Sequence, residues 1–297
     1  MYHRPLAALR TAKYASSRRS KQWAARGLAS ASHVRMRTLQ IGRLEGNFKG
    51  VISVAINNPK ANALGFHLIN ELEDAVKDLA DDESVRAVVL TSAVPGVFCA
   101  GADLKERATM SSDETEQFVT RLRTLMDKVA GIPVPTIAAV EGAAFGGGLE
   151  LMLACDLRVA GKKATMGLTE TSLGIIPGAG GTQRLPRLIG ACKAKELIFT
   201  ARKLTAEEAL ELGIVSTVVD AGRAKSEAMS MAEEIARRAP LAIRAAKMAI
   251  DEGLRQGDTE QGMAIERSMY ARVLKTRDRN EGLQAFKERR APEFVGK

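Results

Sequence analysis

The sequence has little from which to build several common kinds of site. Its 297 residues include three histidines, His3, His33 and His67, too few and too scattered for a Ser-His-Asp triad or a histidine-based metal centre. The three cysteines, Cys99, Cys155 and Cys192, are odd in number and show no CxxC spacing. Each stands in an apolar stretch, which predicts free buried thiols and a reducing compartment. No apolar run approaches the roughly 20 residues needed to span a bilayer, which argues against a transmembrane helix. At 45% hydrophobic, 27% charged and only 4% aromatic residues, the chain reads as a soluble globular protein, long enough for one large domain with a full core.

Acids are missing from one end. Residues 1–44 carry ten Lys or Arg and no Asp or Glu before Glu45. A basic, serine-bearing, acid-poor N-terminus is the mark of an organelle transit peptide, most often mitochondrial matrix. RGLAS over 26–30 resembles a matrix-protease site, so residues 1–28 are expected to be removed, with the mature start near Ala29. Their loss takes seven positive charges from the net +9 and leaves +2. The competing reading is a basic arm that binds nucleic acid.

From Thr38 onward the chain has an α/β pattern. A hairpin is predicted over Thr38–Leu44 and Val51–Asn57, turning at Glu45–Asn47. Next comes a helix with apolar Leu68, Leu72, Val76 and Leu79, and then a continuous β-branched strand over Val85–Thr91. Ser111 with Glu114, and Thr205 with Glu208, have the spacing of capping boxes. Phe118, Leu122, Leu125, Met126 and Val129 share one face of the helix after the first. Thr136–Val140 is a buried strand leading into Gly146-Gly147-Gly148. Beyond Gly190 the chain becomes helix-rich, with a short strand expected over Ile214–Val219 and helices over about 224–238, 241–252, 258–273 and 277–290.

Two acids stand in the glycine-rich middle. Glu150 lies in an apolar helix start, and Glu170 precedes the 174–181 glycine loop. A carboxylate among apolar side chains costs free energy unless compensated, and its pKa rises into the range useful for proton transfer. Taken alone, each reads more readily as an ordinary first-turn or turn glutamate. As a nucleotide site the region is poor: 178–182 lacks the Lys-Ser/Thr of a P-loop, and 146–148 lacks GxGxxG.

Three segments together, VFCAGADLKER (97–107), VEGAAFGGGLE (140–150) and ETSLGIIPGAGGTQR (170–184), resemble the crotonase superfamily of enoyl-CoA hydratases and isomerases. The similarity runs from about Leu39 to the C-terminus. AGADLKER (100–107), Glu170-Thr171 and AKELIF (194–199) are most similar to the mitochondrial branch of methylglutaconyl-CoA hydratase and enoyl-CoA hydratase domain-containing relatives. The resemblance implies a ββα superhelix as core (39–222) and a C-terminal helical region of the same domain (223–297) that covers the site and builds trimers or hexamers. It implies Glu150 and Glu170 as catalytic acid/base, and the N–H groups of Ala100 and Gly147 as an oxyanion hole. CoA contacts are implied at Ala100, Gly101, Ala102, Asp103, Lys60, Phe286 and Arg289. The substrate is then an acyl-CoA thioester and no cofactor is needed.

Hydration of a 2-enoyl-CoA in fatty-acid or branched-chain amino-acid breakdown, with methylglutaconyl-CoA among the substrates considered, leads. The rivals are 3,2-enoyl-CoA isomerisation or another crotonase reaction, and a non-enzymatic RNA-binding relative. RNA binding in the branch uses a lysine-rich early helix. Here residues 66–82 hold one lysine, Lys77, against six acids, and phosphate attraction needs cations. Acyl-chain length, branching and a distal carboxylate stay open.

Overall fold

The computed structural model describes residues 33–297; the expected targeting segment, 1–28, lies outside them. Two sheets run through the fold. The larger has seven strands in the order β1 (His33–Arg35), β2 (Leu39–Arg43), β3 (Val51–Ile56), β4 (Ala87–Ser92), β6 (Thr136–Val140), β8 (Leu157–Gly161) and β11 (Thr217–Val219). The smaller has the order β10 (Leu204–Thr205), β9 (Thr165–Gly167), β7 (Ala143–Phe145) and β5 (Val97–Cys99). The hairpin β2–β3 is antiparallel, and β3, β4, β6, β8 and β11 are mutually parallel.

Each of β4, β6 and β8 is followed by a short strand of the small sheet, β5, β7 and β9, and then by a helical turn. This ββα repeat is the superhelix expected. The helices are α1 (Phe66–Asp81), α2 (Leu104–Arg107), α3 (Ser112–Ala130), α4 (Gly147–Ala154), α5 (Gly181–Ile189), α6 (Ala191–Phe199) and α7 (Ala206–Glu211). The C-terminal ones are α8 (Ala224–Ala236), α9 (Pro240–Gln256), α10 (Thr259–Val273) and α11 (Arg277–Glu288). Both capping boxes form, at Ser111 with Glu114 and at Thr205 with Glu208. The 214–219 segment is strand only from Thr217; Ile214 and Val215 are buried in the approach to it.

The large sheet is buried on both faces, which is why its parallel strands read as unbroken apolar runs. On one face Val88, Leu90, Ala138, Val140 and Ala160 join the main core with α1 and α3 side chains such as Leu72 and Leu125. On the other, Val51, Val89, Ile137 and Val159 meet Ala224, Ala228, Ala232 and Ala236. Alanine at every fourth position gives α8 one smooth stripe, so its axis can lie close to the sheet. Lys247 fixes α9 beside the core: its Nζ donates to Asp156 Oδ2 at 2.6 Å, and Asp156 also accepts from Thr136 N. Among the described residues no helix is long and apolar enough to cross a membrane.

One cysteine departs from expectation. Cys99 and Cys155 are buried and their thiols are pushed up to about 12, chiefly by burial, but Cys192 is exposed. It sits at the second position of α6, whose buried stripe is Ala194, Leu197 and Ile198. Apolar neighbours in sequence do not put a residue on the inner face of a helix.

Candidate active site

Strands β5 and β7 end side by side, with Cys99 paired to Ala144, and the loops leaving them touch backbone to backbone. A Cβ on Gly148 would lie 2.0 Å from the Cys99 carbonyl oxygen. Gly101 combines φ +94° with a Cβ position 2.8 Å from Phe145 O. Side chains at either place would push the two loops apart. Gly147 opens α4, so its N–H has no carbonyl four residues back, and among the described residues no acceptor takes it.

Ala100 differs from the expected free donor: its N–H already donates to Ala61 O at 3.0 Å. The 58–64 loop folds back over the end of β5, with Leu64 N donating to Gly101 O at 2.8 Å and Asp103 N to Leu64 O at 3.2 Å. Asn62 holds that loop in place. It is fully buried; its Nδ2 donates to Ser92 Oγ and Phe98 O, and its Oδ1 accepts from Asn58 N. The loop also carries two left-handed non-glycine residues, Lys60 at φ 77° and Asn62 at φ 49°.

The two glutamates meet unlike surroundings. Glu150 is 3% exposed, yet its Oε1 accepts from Ala179 N at 2.8 Å and Gly181 N at 2.7 Å. Gly181 is the first residue of α5, so the carboxylate sits at a helix N-terminus whose open amides favour an anion. Burial raises the Glu150 pKa above the usual carboxylate range, and those two hydrogen bonds and the Arg184 and Arg123 charges offset only part of the rise. Glu170, half-buried, lacks such a grip, and its Oε2 is buried without a hydrogen-bond partner. Burial first, and the nearby Glu150 charge second, raise its pKa to about 7. Two amides favour the anion of one carboxyl, while the other, without a partner, is set to hold a proton near neutral pH.

Both glutamates line a cleft of about 2410 Å³. Val119 and Leu122 of α3, Leu173 and Ile176 of the 173–178 loop, and Lys247 and Ile250 of α9 form its walls. Lys60, Ala100, Gly101, Ala102 and Asp103 also line it. The Asp103 carboxylate caps α2, its Oδ1 accepting from Lys105 N and Glu106 N, and its backbone N–H and carbonyl are also bonded, to Leu64 O and by Arg107 N. Phe286 and Arg289 are not brought to the cleft. Phe286 is 86% exposed on α11, and Arg289 ends that helix at φ 56°.

Sequence reasoning missed the amides that grip Glu150 and missed Asn62. A glycine run ahead of a helix does signal open amides. Nothing local signals that Ala179 and Gly181 face a carboxylate 29 and 31 residues earlier.

Comparisons with known proteins agree on the kind of protein this resembles. The family model described as enoyl-CoA hydratase/isomerase matches residues 46–297. A mouse relative, "Enoyl-CoA hydratase domain-containing protein 2, mitochondrial", is 52% identical over 274 residues, 90% of this chain and 92% of its own. Mouse "Methylglutaconyl-CoA hydratase, mitochondrial" is 49% identical over 263 residues, 87% and 83% of the two chains. Among solved structures, the enoyl-CoA hydratase of Bacillus anthracis superposes with a TM-score of 0.82 at 45% identity, covering 91% of this chain and 100% of that one.

Proposed function

The chain belongs to the enoyl-CoA hydratase/isomerase family, and on that premise we propose that it adds water across the 2,3 double bond of a 2-enoyl-CoA. The observation that carries this reading is the pair of glutamates on one cleft, one gripped by amides and the other left unpaired with a pKa near 7.

In the reaction, the thioester oxygen lies against Gly147 N–H and competes with Ala61 O for Ala100 N–H. As the water oxygen bonds to C3, Glu150 takes the water proton. The π electrons move toward the thioester oxygen as an enolate, which the two N–H groups and the α4 dipole stabilise; a donor of this kind is commonly worth about 3 kcal/mol in rate terms. Glu170 delivers its proton to C2, giving the 3-hydroxyacyl thioester, and the proton held by Glu150 restores the balance between the pair. The two carboxyls titrate as a coupled system, so the order of the proton steps belongs to the pair.

Absorbance of a 2-enoyl-CoA at its conjugated thioester band tests the reading. Loss of that band with product 3-hydroxyacyl-CoA is expected, and no hydration by the purified chain refutes it. Turnover of 3-enoyl-CoA that survives Glu150→Gln, with no hydration by either form, would favour the isomerase instead.

Three further proposals attach to this reading. Residues 1–28 direct import into mitochondria and are removed, supported by their acid-free basic run and by relatives named as mitochondrial; an intact Met1 on organelle-purified protein would overturn it. Residues 39–222 form the catalytic core and 223–297 a helical region of the same domain, supported by α8 packing into the second core. The chain assembles as trimers or hexamers that bring Phe286 and Arg289 to a neighbour's CoA, supported by apolar side chains left exposed on α9–α11, such as Leu254, Tyr270 and Phe286. Light scattering decides that point, and a fully active monomer would refute it.

A further inference from the structure

Helix α3 turns one face toward the loop that grips Glu150. Val119, Arg123 and Asp127 are spaced four residues apart, so they stand above one another on that face. Each engages the loop. A Cβ on Gly178 would lie 2.6 Å from Val119 Cγ1, so glycine lets the loop sit directly against the helix. Arg123 Nε donates to Gly178 O at 3.1 Å. Asp127 Oδ1 accepts from Arg184 Nη2 at 2.5 Å, and Nη1 of the same guanidinium donates to Ala179 O at 3.2 Å.

A single peptide group joins Arg123 to Glu150. The Gly178 carbonyl that Arg123 bonds and the Ala179 N–H that donates to Glu150 Oε1 at 2.8 Å are the two ends of that planar unit. A donor on the carbonyl end polarises the amide and strengthens the bond made by its N–H. The second amide on Glu150 is built alike. Gly181 N shares a peptide with Gly180 O, which accepts from Gln183 N at 3.0 Å and Arg184 N at 2.8 Å. There the first turn of α5 supplies the donors. The Gly178–Ala179 peptide lies ahead of the helix, and the Arg123 side chain supplies its donor instead. Both amides bond Oε1, and no described residue donates to Oε2.

Resting on the hydratase reading, we propose that Arg123 is a positioning residue for the base: through the Gly178–Ala179 peptide it fixes Glu150 by Oε1 and so leaves Oε2 turned to the water that adds to C3. Arg184, anchored by Asp127, steadies the same loop one residue further on. Charge acts in the same direction as geometry, since the Arg123 guanidinium also favours the Glu150 anion. The other charged groups facing Glu150 are Arg184 of α5, with Asp127 of α3 bound to it, and Glu170. Of the strands packed on α4, β7 has no titratable residue and β5 only Cys99, whose thiol stays neutral.

Steady-state hydration of crotonyl-CoA and 2-hexenoyl-CoA by the full-length purified protein, followed across pH, tests the proposal. Arg123 is exposed, so its variants should fold, and melting curves check that they do. Arg123→Gln is expected to lower kcat about 5- to 20-fold with KM within about twofold of wild type. It should also move the acid limb of the kcat profile to higher pH, because the base loses a charge that favours its ionised form. Arg123→Lys, which keeps the charge and can still donate to Gly178 O, should restore most of kcat and the position of the limb. In a Glu150→Gln background no base remains to be positioned, and there Arg123→Gln should change kcat by less than about twofold. Arg121→Gln, which removes an α3 arginine paired with Glu73, should leave kcat and the limb at their wild-type values. Unchanged kcat in Arg123→Gln, an unmoved acid limb, or a loss of the same size in the Glu150→Gln background overturns the inference while the hydratase reading stands. A wild type that hydrates neither thioester sinks that reading and this inference together.

Discussion

Replacing Glu170 by Gln should make the protein inactive and, at alkaline pH, more stable. The unfolded side chain ionises near 4.5 and the folded one near 7. Below pH 4.5 both states are protonated, and the wild type and Glu170→Gln should be equally stable. Between 4.5 and 7 the unfolded chain has lost the proton that the folded chain keeps, so the native state binds more protons and stability falls as pH rises. Above 7 the penalty is complete. A shift of this size corresponds to about 3 kcal/mol, and because Glu170 is only partly buried, solvent screening brings the expected gain to roughly 1–3 kcal/mol. The amide keeps the shape and leaves the unpartnered Oε2 position no worse off. In melting temperature this is roughly 3–8 °C at pH 8, closing to zero by pH 4.5. Thermal melts across that range, with hydration assayed on the same samples, provide the measurement. Part of the shift comes from the Glu150 charge, so in a Glu150→Gln background the pH-dependent gain should shrink. A gain that ignores pH, or a variant less stable than wild type at pH 8, would refute the electrostatic account.

Other perturbations separate the remaining parts of the site. Glu150→Gln should keep the fold, because a Gln oxygen can still accept from Ala179 and Gly181, yet lower kcat for hydration at least about 10²-fold with KM little changed. Gly148→Ala places a Cβ 2.0 Å from the Cys99 carbonyl and should cost more than about 3 kcal/mol, read as insolubility or a melting point lowered by many degrees. Gly222→Ala, at φ +87° with nothing within 4 Å, should cost only about 1 kcal/mol for its backbone conformation. Asn62→Ala removes the three hydrogen bonds of a buried side chain at a left-handed position and should lose about 2–4 kcal/mol. It should also lower kcat, since the loop it fixes carries the Ala61 carbonyl that shares the Ala100 N–H; unchanged kcat in the folded variant would dismiss that link.

Much of this protein follows from short-range rules. The capping boxes at Ser111 and Thr205 depend on residues three apart, the buried stripe of α1 on the 3.6-residue period, and the β4 and β6 strands on apolar runs that must be covered on both faces. The residue types at 150 and 170 narrowed the chemistry to carboxylates, and resemblance to a family gave them roles. Tertiary structure decided what distinguishes them: amides from a distant glycine loop hold one, and burial beside that charge raises the other. It likewise placed Ala61 O on the Ala100 N–H, turned Cys192 outward, and kept Phe286 away from the cleft. Helix periods and caps are settled within about four residues of chain. Desolvation and the identity of a hydrogen-bond partner depend on which segments are packed together, and packing joins residues that no local rule connects.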